Sequence, residues 1–274
     1  MSEQVGRGVL ALSDPAARQK FWDLPGRRMA MILAVGAAVL VIMVLTPVLS
    51  GRPATLLLDH PSKHFPYPFT IQNMMHIMFF VGLSELFVRW RVAERELAFH
   101  QRGFLPEDEE TVLQAADLGP IRRKVAKEFD GEHGFLPSLI NLSILQFQSS
   151  RSVDQTVAVM NNSLELIAHR VELRYGLVRY IAWFVPTLGF IGTVYALGAS
   201  LAEAGASKEI DVQALAVTLG VGFDCTMVAL VESAILVFIM YIAQEKEEMA
   251  VNLSGNYCLR NLINRIYVGR ATNA

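Results

Sequence analysis

The sequence has little cysteine, no excess of basic charge and, over four long stretches, almost no charge of either sign. Its two cysteines, Cys225 in an apolar run and Cys258 in a polar tail, offer neither zinc-ligand spacing nor an evident disulfide. A net charge of −2 leaves no basic face for nucleic acid. There is no phosphate-binding loop, nucleophile arrangement or metal-ligand cluster, which argues against an enzyme, a resident cofactor or bound nucleotide as an energy source.

The missing charge is the informative absence. Among 24 basic and 26 acidic residues, only Glu85, Asp224 and Glu232 fall within Met29–Leu49, Thr70–Val88, Tyr180–Ala202 and Val212–Gln244. A hydrocarbon core about 30 Å thick takes roughly 20 apolar helical residues. The sequence therefore predicts an all-α membrane protein with four transmembrane helices at 29–49, 70–88, 180–202 and 212–244. The first run follows 28 polar residues and is longer than the roughly 7–15 residues of a signal-peptide core, so it is expected to be retained.

The polar remainder divides into 1–28, 50–69, 89–179, 203–211 and 245–274. Four spans put both termini and segment 89–179 on one side, which holds every basic residue except Arg52, Lys63 and Lys208. Arg27 and Arg28, Arg89 and Arg91, and Arg174 and Arg179 flank the spans on that side, and the positive-inside rule makes it cytoplasmic. Pro53, Pro61, Pro66 and Pro68 suggest that 50–69 is an extended connection, and 203–211 is too short to fold alone.

Segment 89–179 carries turn signals at Pro120, Gly131, Gly134 and Pro137. Apolar residues then recur at Val153, Val157, Met160, Leu164, Ile167 and Val171, a heptad seam. With no proline before Tyr180, one long helix is expected to run from this cytoplasmic helical domain into the third span. The fourth run, at roughly 50 Å, should also project past the bilayer towards the cytoplasmic tail. Packing of the seam within one subunit and packing between subunits are both open at this point.

The third span places Pro186 inside a helix, where it removes an internal hydrogen bond. Gly189, Gly192, Ala196 and Ala199 form a narrow side that permits close helix approach. Thr193 lies on that span and could bond back to the Gly189 carbonyl as a packing residue. In the fourth span, Asp224 and Glu232 are carboxylates at membrane depth, which need partners, protonation or a wet cavity. Two on one helix suggest an ion or proton pathway; a buried pair that supports packing is the alternative.

Pro186-Thr-Leu-Gly189-Phe-Ile-Gly192-Thr193-Val and Phe223-Asp-Cys-Thr226-Met-Val-Ala-Leu230 resemble the signatures of the MotA/TolQ/ExbB family of ion-driven motor subunits. The order of two spans, a large loop and two further spans is similar to the four-span, MotA-like branch. The resemblance implies a homopentameric ring in the bacterial inner membrane, enclosing a dimer of a single-span MotB/ExbD/TolR-like partner whose Asp binds the ion. Thr193 and Thr226 would then be polar contacts on the ion pathway, their hydroxyls both donating and accepting. Cys225-Thr226 stands where sodium-carrying members often have two threonines, which tilts the ion towards H+ and leaves Na+ open.

At 100° per residue, Asp224 points about 200° from Thr226 and Glu232 about 120° from it. If Thr226 faces the pore, Asp224 is expected to point outward as a packing residue, meeting Asn73, His76 or Ser84 of the second span. Glu232, roughly 9 Å nearer the cytoplasm, becomes an exit-side proton stop. His76 is expected to be a packing residue. Arg89, Arg91, Glu94 and Arg95 form either a contact surface for a cytoplasmic effector or a membrane-flanking anchor with local ion pairs. A non-conducting membrane scaffold is the competing function; a secondary transporter lacks the interrupted repeats it would need.

Overall fold

The computed structural model describes residues 25–60, 65–108, 110–129, 133–206 and 212–267. Segment 1–24, Lys63, Gly131, most of the loop 203–211 and the end of the tail lie outside the described residues. Eight α-helices are present among those described: α1 Pro25–Val48, α2 Arg52–Leu58, α3 Ile71–Ala98, α4 Leu118–Val125, α5 Phe135–Ser150, α6 Val153–Arg174, α7 Gly176–Ala206 and α8 Val212–Asn261. The extended structure among them is an isolated bridge between Leu113 and Ile266. This is an all-α membrane protein, with four helical stretches long and apolar enough to cross a bilayer.

The chain divides into two compact units. An apolar unit comprises residues 25–88 and 175–242. A polar unit comprises, among the described residues, 89–174 and 243–267. Helices α3 and α8 supply residues to both.

In the apolar unit, α1 has an 18-residue window of mean hydropathy 2.7 that is 17% buried. Most of its apolar surface is thus left for lipid or another chain. The connection after α1 was expected to be extended, but it contains α2. Gly51, at φ +65°, turns the chain into it. Pro53 sits in its first turn, where no helical N–H is required. Left-handed Asp59 ends α2 by donating its N–H to the Thr55 carbonyl at 3.1 Å. Thr70 then serves two helices. Its Oγ1 accepts the Asn73 N–H (3.2 Å), capping α3, and donates to the Leu58 carbonyl of α2 (3.0 Å).

In the polar unit, α5 and α6 form a hairpin. Arg151, at φ +53°, closes α5 with a bond to the Phe147 carbonyl. Ser152 caps α6, accepting the Gln155 N–H at 3.3 Å. Leu139, Ile140, Ile144 and Phe147 of α5 are buried. Met160, Ile167 and Val171 of the seam are buried too, and Val153, Val157 and Leu164 are half-buried, so the seam packs within the chain. Leu164 fits against Gly255 of α8, where an added Cβ would lie 2.7 Å from its Cδ1.

One helical stretch runs through 153–205, with a single turn residue, Tyr175, where α6 passes into α7. Gly176 follows it, and glycine in a helix costs about 1 kcal/mol relative to alanine. Tyr175 itself is fully buried. Helix α8 exceeds the expectation: 50 residues correspond to roughly 75 Å.

Candidate functional site

Helices α7 and α8 meet along stripes of small residues at heptad spacing. On α7 the stripe is Ala182, Pro186, Gly189, Thr193, Ala196 and Ser200; on α8 it is Gly222, Thr226, Ala229 and Ser233. A Cβ on Gly189 would lie 2.4 Å from the Ala229 Cβ, and one on Gly222 would lie 3.0 Å from the Ala196 Cβ. Gly192 faces Cys225, whose Sγ would be 2.6 Å from its added Cβ. The backbones approach as closely as they do because these residues lack side-chain bulk.

That approach brings the helices' polar groups together. Pro186 has no N–H to give the Ala182 carbonyl one turn earlier, and the Ser233 hydroxyl of α8 donates to that carbonyl at 2.7 Å. Farther along the seam, Thr193 Oγ1 contacts the Gly222 carbonyl at 2.7 Å and its own Gly189 carbonyl at 3.3 Å. Thr226 Oγ1 reaches the same Gly189 carbonyl at 3.1 Å. The two hydroxyls also hydrogen-bond to each other. Each hydroxyl has one proton to donate and lone pairs to accept with. Two protons therefore face more acceptors than they can serve at once, and the pair can redistribute its donors without moving either helix. Both threonines are half-buried.

Asp224 engages a different element. Its buried carboxylate is gripped by Arg52 at the start of α2, with Nη2 to Oδ1 at 2.9 Å and Nη1 to Oδ2 at 2.6 Å. The second-span partners expected for it are occupied elsewhere. Asn73 donates to the Pro68 carbonyl, Ser84 to the Val81 carbonyl, and His76 pairs with Glu232. The reason is the unanticipated α2, which supplies a cation where a polar span residue was sought.

Glu232 is buried, and its Oε1 meets His76 Nδ1. The other ring nitrogen, Nε2, lies 2.8 Å from the Leu57 carbonyl in the last turn of α2. Glu232 Oε2 is buried with no hydrogen-bond partner among the described residues. The third span acid, Glu85, is fully buried and accepts from Arg27 Nε at 2.8 Å.

The cluster after the second span behaves unevenly. Arg89 is 1% exposed, so it cannot serve as a surface contact, whereas Arg91, Glu94 and Arg95 are exposed. Glu94 accepts from Trp90 Nε1 (2.8 Å) and Lys246 Nζ (3.2 Å), and Lys246 sits 3.8 Å from the Trp90 ring centroid. This is the local ion-pair arrangement of the anchor reading.

Sequence reasoning missed Ser233, Arg52 and the full role of His76. Ser233 was within reach: it lies seven residues after Thr226, and so on the same helix face. Arg52 and His76 carried no comparable signal, being 172 and 156 residues from their partners.

No curated protein and no solved structure matches the chain. Residues 131–252 match the profile of the MotA/TolQ/ExbB proton channel family, a segment that includes α5, α6, α7 and most of α8 with the threonine pair, Ser233, Asp224 and Glu232. Over residues 131–252, therefore, the chain is similar to the MotA/TolQ/ExbB proton channel family.

Proposed function

We propose that the chain is the pore-wall subunit of a proton-driven rotary motor in the bacterial inner membrane. In this reading five copies surround a dimer of a single-span, MotB/ExbD/TolR-like partner, and ion flow moves that dimer. Both termini and the polar unit are cytoplasmic, in keeping with the flanking arginines. The observation that carries the reading is the Thr193–Thr226 pair, two hydroxyls with exchangeable acceptors between α7 and α8. Such a pair can hydrogen-bond a partner carboxylate whether it is ionised or protonated. One charge crossing 100 mV releases about 2.3 kcal/mol, the energy the motor would convert. Cys225-Thr226 supports H+ as the ion.

A non-conducting scaffold has one observation in its favour: Asp224 and Glu232 are both held inside the subunit, by Arg52 and His76. Native mass measurement of the complex extracted from its own membrane separates the two readings. The motor predicts five copies of this chain with two of a single-span protein. A homo-oligomer without that partner would support the scaffold.

A further inference from the structure

The pairing of His76 with Glu232 has a chemical requirement of its own. A carbonyl oxygen only accepts, so the 2.8 Å contact with Leu57 places a hydrogen on His76 Nε2. In a neutral ring Nδ1 is then a bare acceptor, and an ionised Glu232 Oε1 is an acceptor as well. Two acceptors cannot form the hydrogen bond seen between them. One proton must lie on one side or the other, as a carboxylic acid beside imidazole or a carboxylate beside imidazolium.

We infer that His76 and Glu232 bind a single proton between them, at a site distinct from the threonine pair, and that this proton fastens α2 to α8. The fastening is direct. Through Nε2 the ring caps the Leu57 carbonyl, one of the groups that the end of α2 leaves without an intrahelical donor. Through Nδ1 it reaches α8. At the opposite end of α2, Arg52 makes the second tie, to Asp224.

Loss of the proton would leave the two facing atoms with no donor between them. Of the other titratable groups on α2 and α8, Asp59 and Asp224 lie, with Glu232, within electrostatic reach of the Cys225 thiol. Arg52 is committed to Asp224, and His60 packs edge-on against Tyr67. On the part of α3 within the apolar unit, Glu85 is matched by Arg27 of α1. Deprotonation would set a bare carboxylate, its Oε2 already without a partner, against a bare imidazole nitrogen. The ring would then let go of α8 or of Leu57. The fastened state holds one proton more than the released state, so raising the pH favours release of α2 and lowering it favours attachment. The inference does not rest on the ion-path reading: Arg52, Leu57 and His76 all lie outside the segment 131–252 that matches the family.

The test is amide hydrogen exchange of the full-length protein in lipid bilayers, followed across pH at residues 51–60 and corrected for intrinsic exchange rates. Wild type should be protected at low pH and lose protection by up to about tenfold per pH unit once the proton is released. In Glu232→Gln the amide donates to Nδ1 without a titratable proton, and the step should vanish with α2 still protected. Arg52→Gln should lower protection throughout but keep the step. If Glu232→Gln fails to retain normal exchange in α8, His76→Phe takes its place and should leave α2 open at every pH. A flat wild-type profile, or a step that persists in Glu232→Gln or His76→Phe, would overturn the inference.

Discussion

Pro186 illustrates how one residue creates a demand that another element must meet. Its ring removes the donor owed to the Ala182 carbonyl, and Ser233 supplies one from α8. Ser233→Ala should leave that carbonyl unsatisfied and destabilise the apolar unit by about 1–3 kcal/mol, measured as thermal unfolding in bilayers. Gly189 makes the complementary demand for space. Gly189→Ala drives a methyl group into the Ala229 Cβ at 2.4 Å and should cost roughly 1–3 kcal/mol. Ala229→Gly in the same chain should recover part of that loss, since it removes the nearest obstacle and leaves the Thr226 Cα at 3.2 Å. Additive losses in the double variant would show that the two positions do not meet.

Among the elements, the joint between α3 and α5 depends on one carboxylate. Glu96 is 1% exposed, and its two oxygens accept the N–H groups of Gly134 (2.8 Å) and Phe135 (2.7 Å) at the start of α5. Gly134 has φ +82°, a conformation that glycine adopts without strain, and it offers no side-chain cap. The carboxylate from α3 takes over that role at the positive end of the α5 dipole. Glu96→Ala should destabilise the polar unit by about 1–3 kcal/mol, through two buried N–H groups left bare, and should raise amide exchange first at 134–138. Nearby, Arg174 and Glu247 form a buried pair at 2.8 Å that joins α6 to α8.

These elements also mark what could be read from sequence. Long apolar runs announced four spans because burial in lipid imposes a length and excludes charge, and both constraints are local. The narrow face of Gly189, Gly192 and Ala196 was legible from helical spacing, whereas Thr193 and Thr226 were singled out by the resemblance to the motor family. The partners of Asp224, Glu232 and Glu96 were not, since each pairing depends on which distant segment folds against the helix. Helix α2 was obscured by prolines that read as loop signals, although Pro53 occupies a first-turn position where proline is favourable.

At the scale of the whole molecule, the apolar unit ties Glu85 and Asp224 to arginines and Glu232 to the His76 ring, leaving the α7–α8 hydroxyls as the seam's exchangeable polar groups. That division of labour underlies the proposed ion-path wall. The most direct test is proton flux through the complete complex, reconstituted with its single-span partner, in Thr226→Val and Thr226→Ser. The valine keeps the shape and removes the hydroxyl; the serine keeps the hydroxyl. The account predicts that Thr226→Val loses tenfold or more of the flux, equivalent to about 1.4 kcal/mol or more on the barrier, while Thr226→Ser retains most of it. Normal flux in Thr226→Val would contradict it.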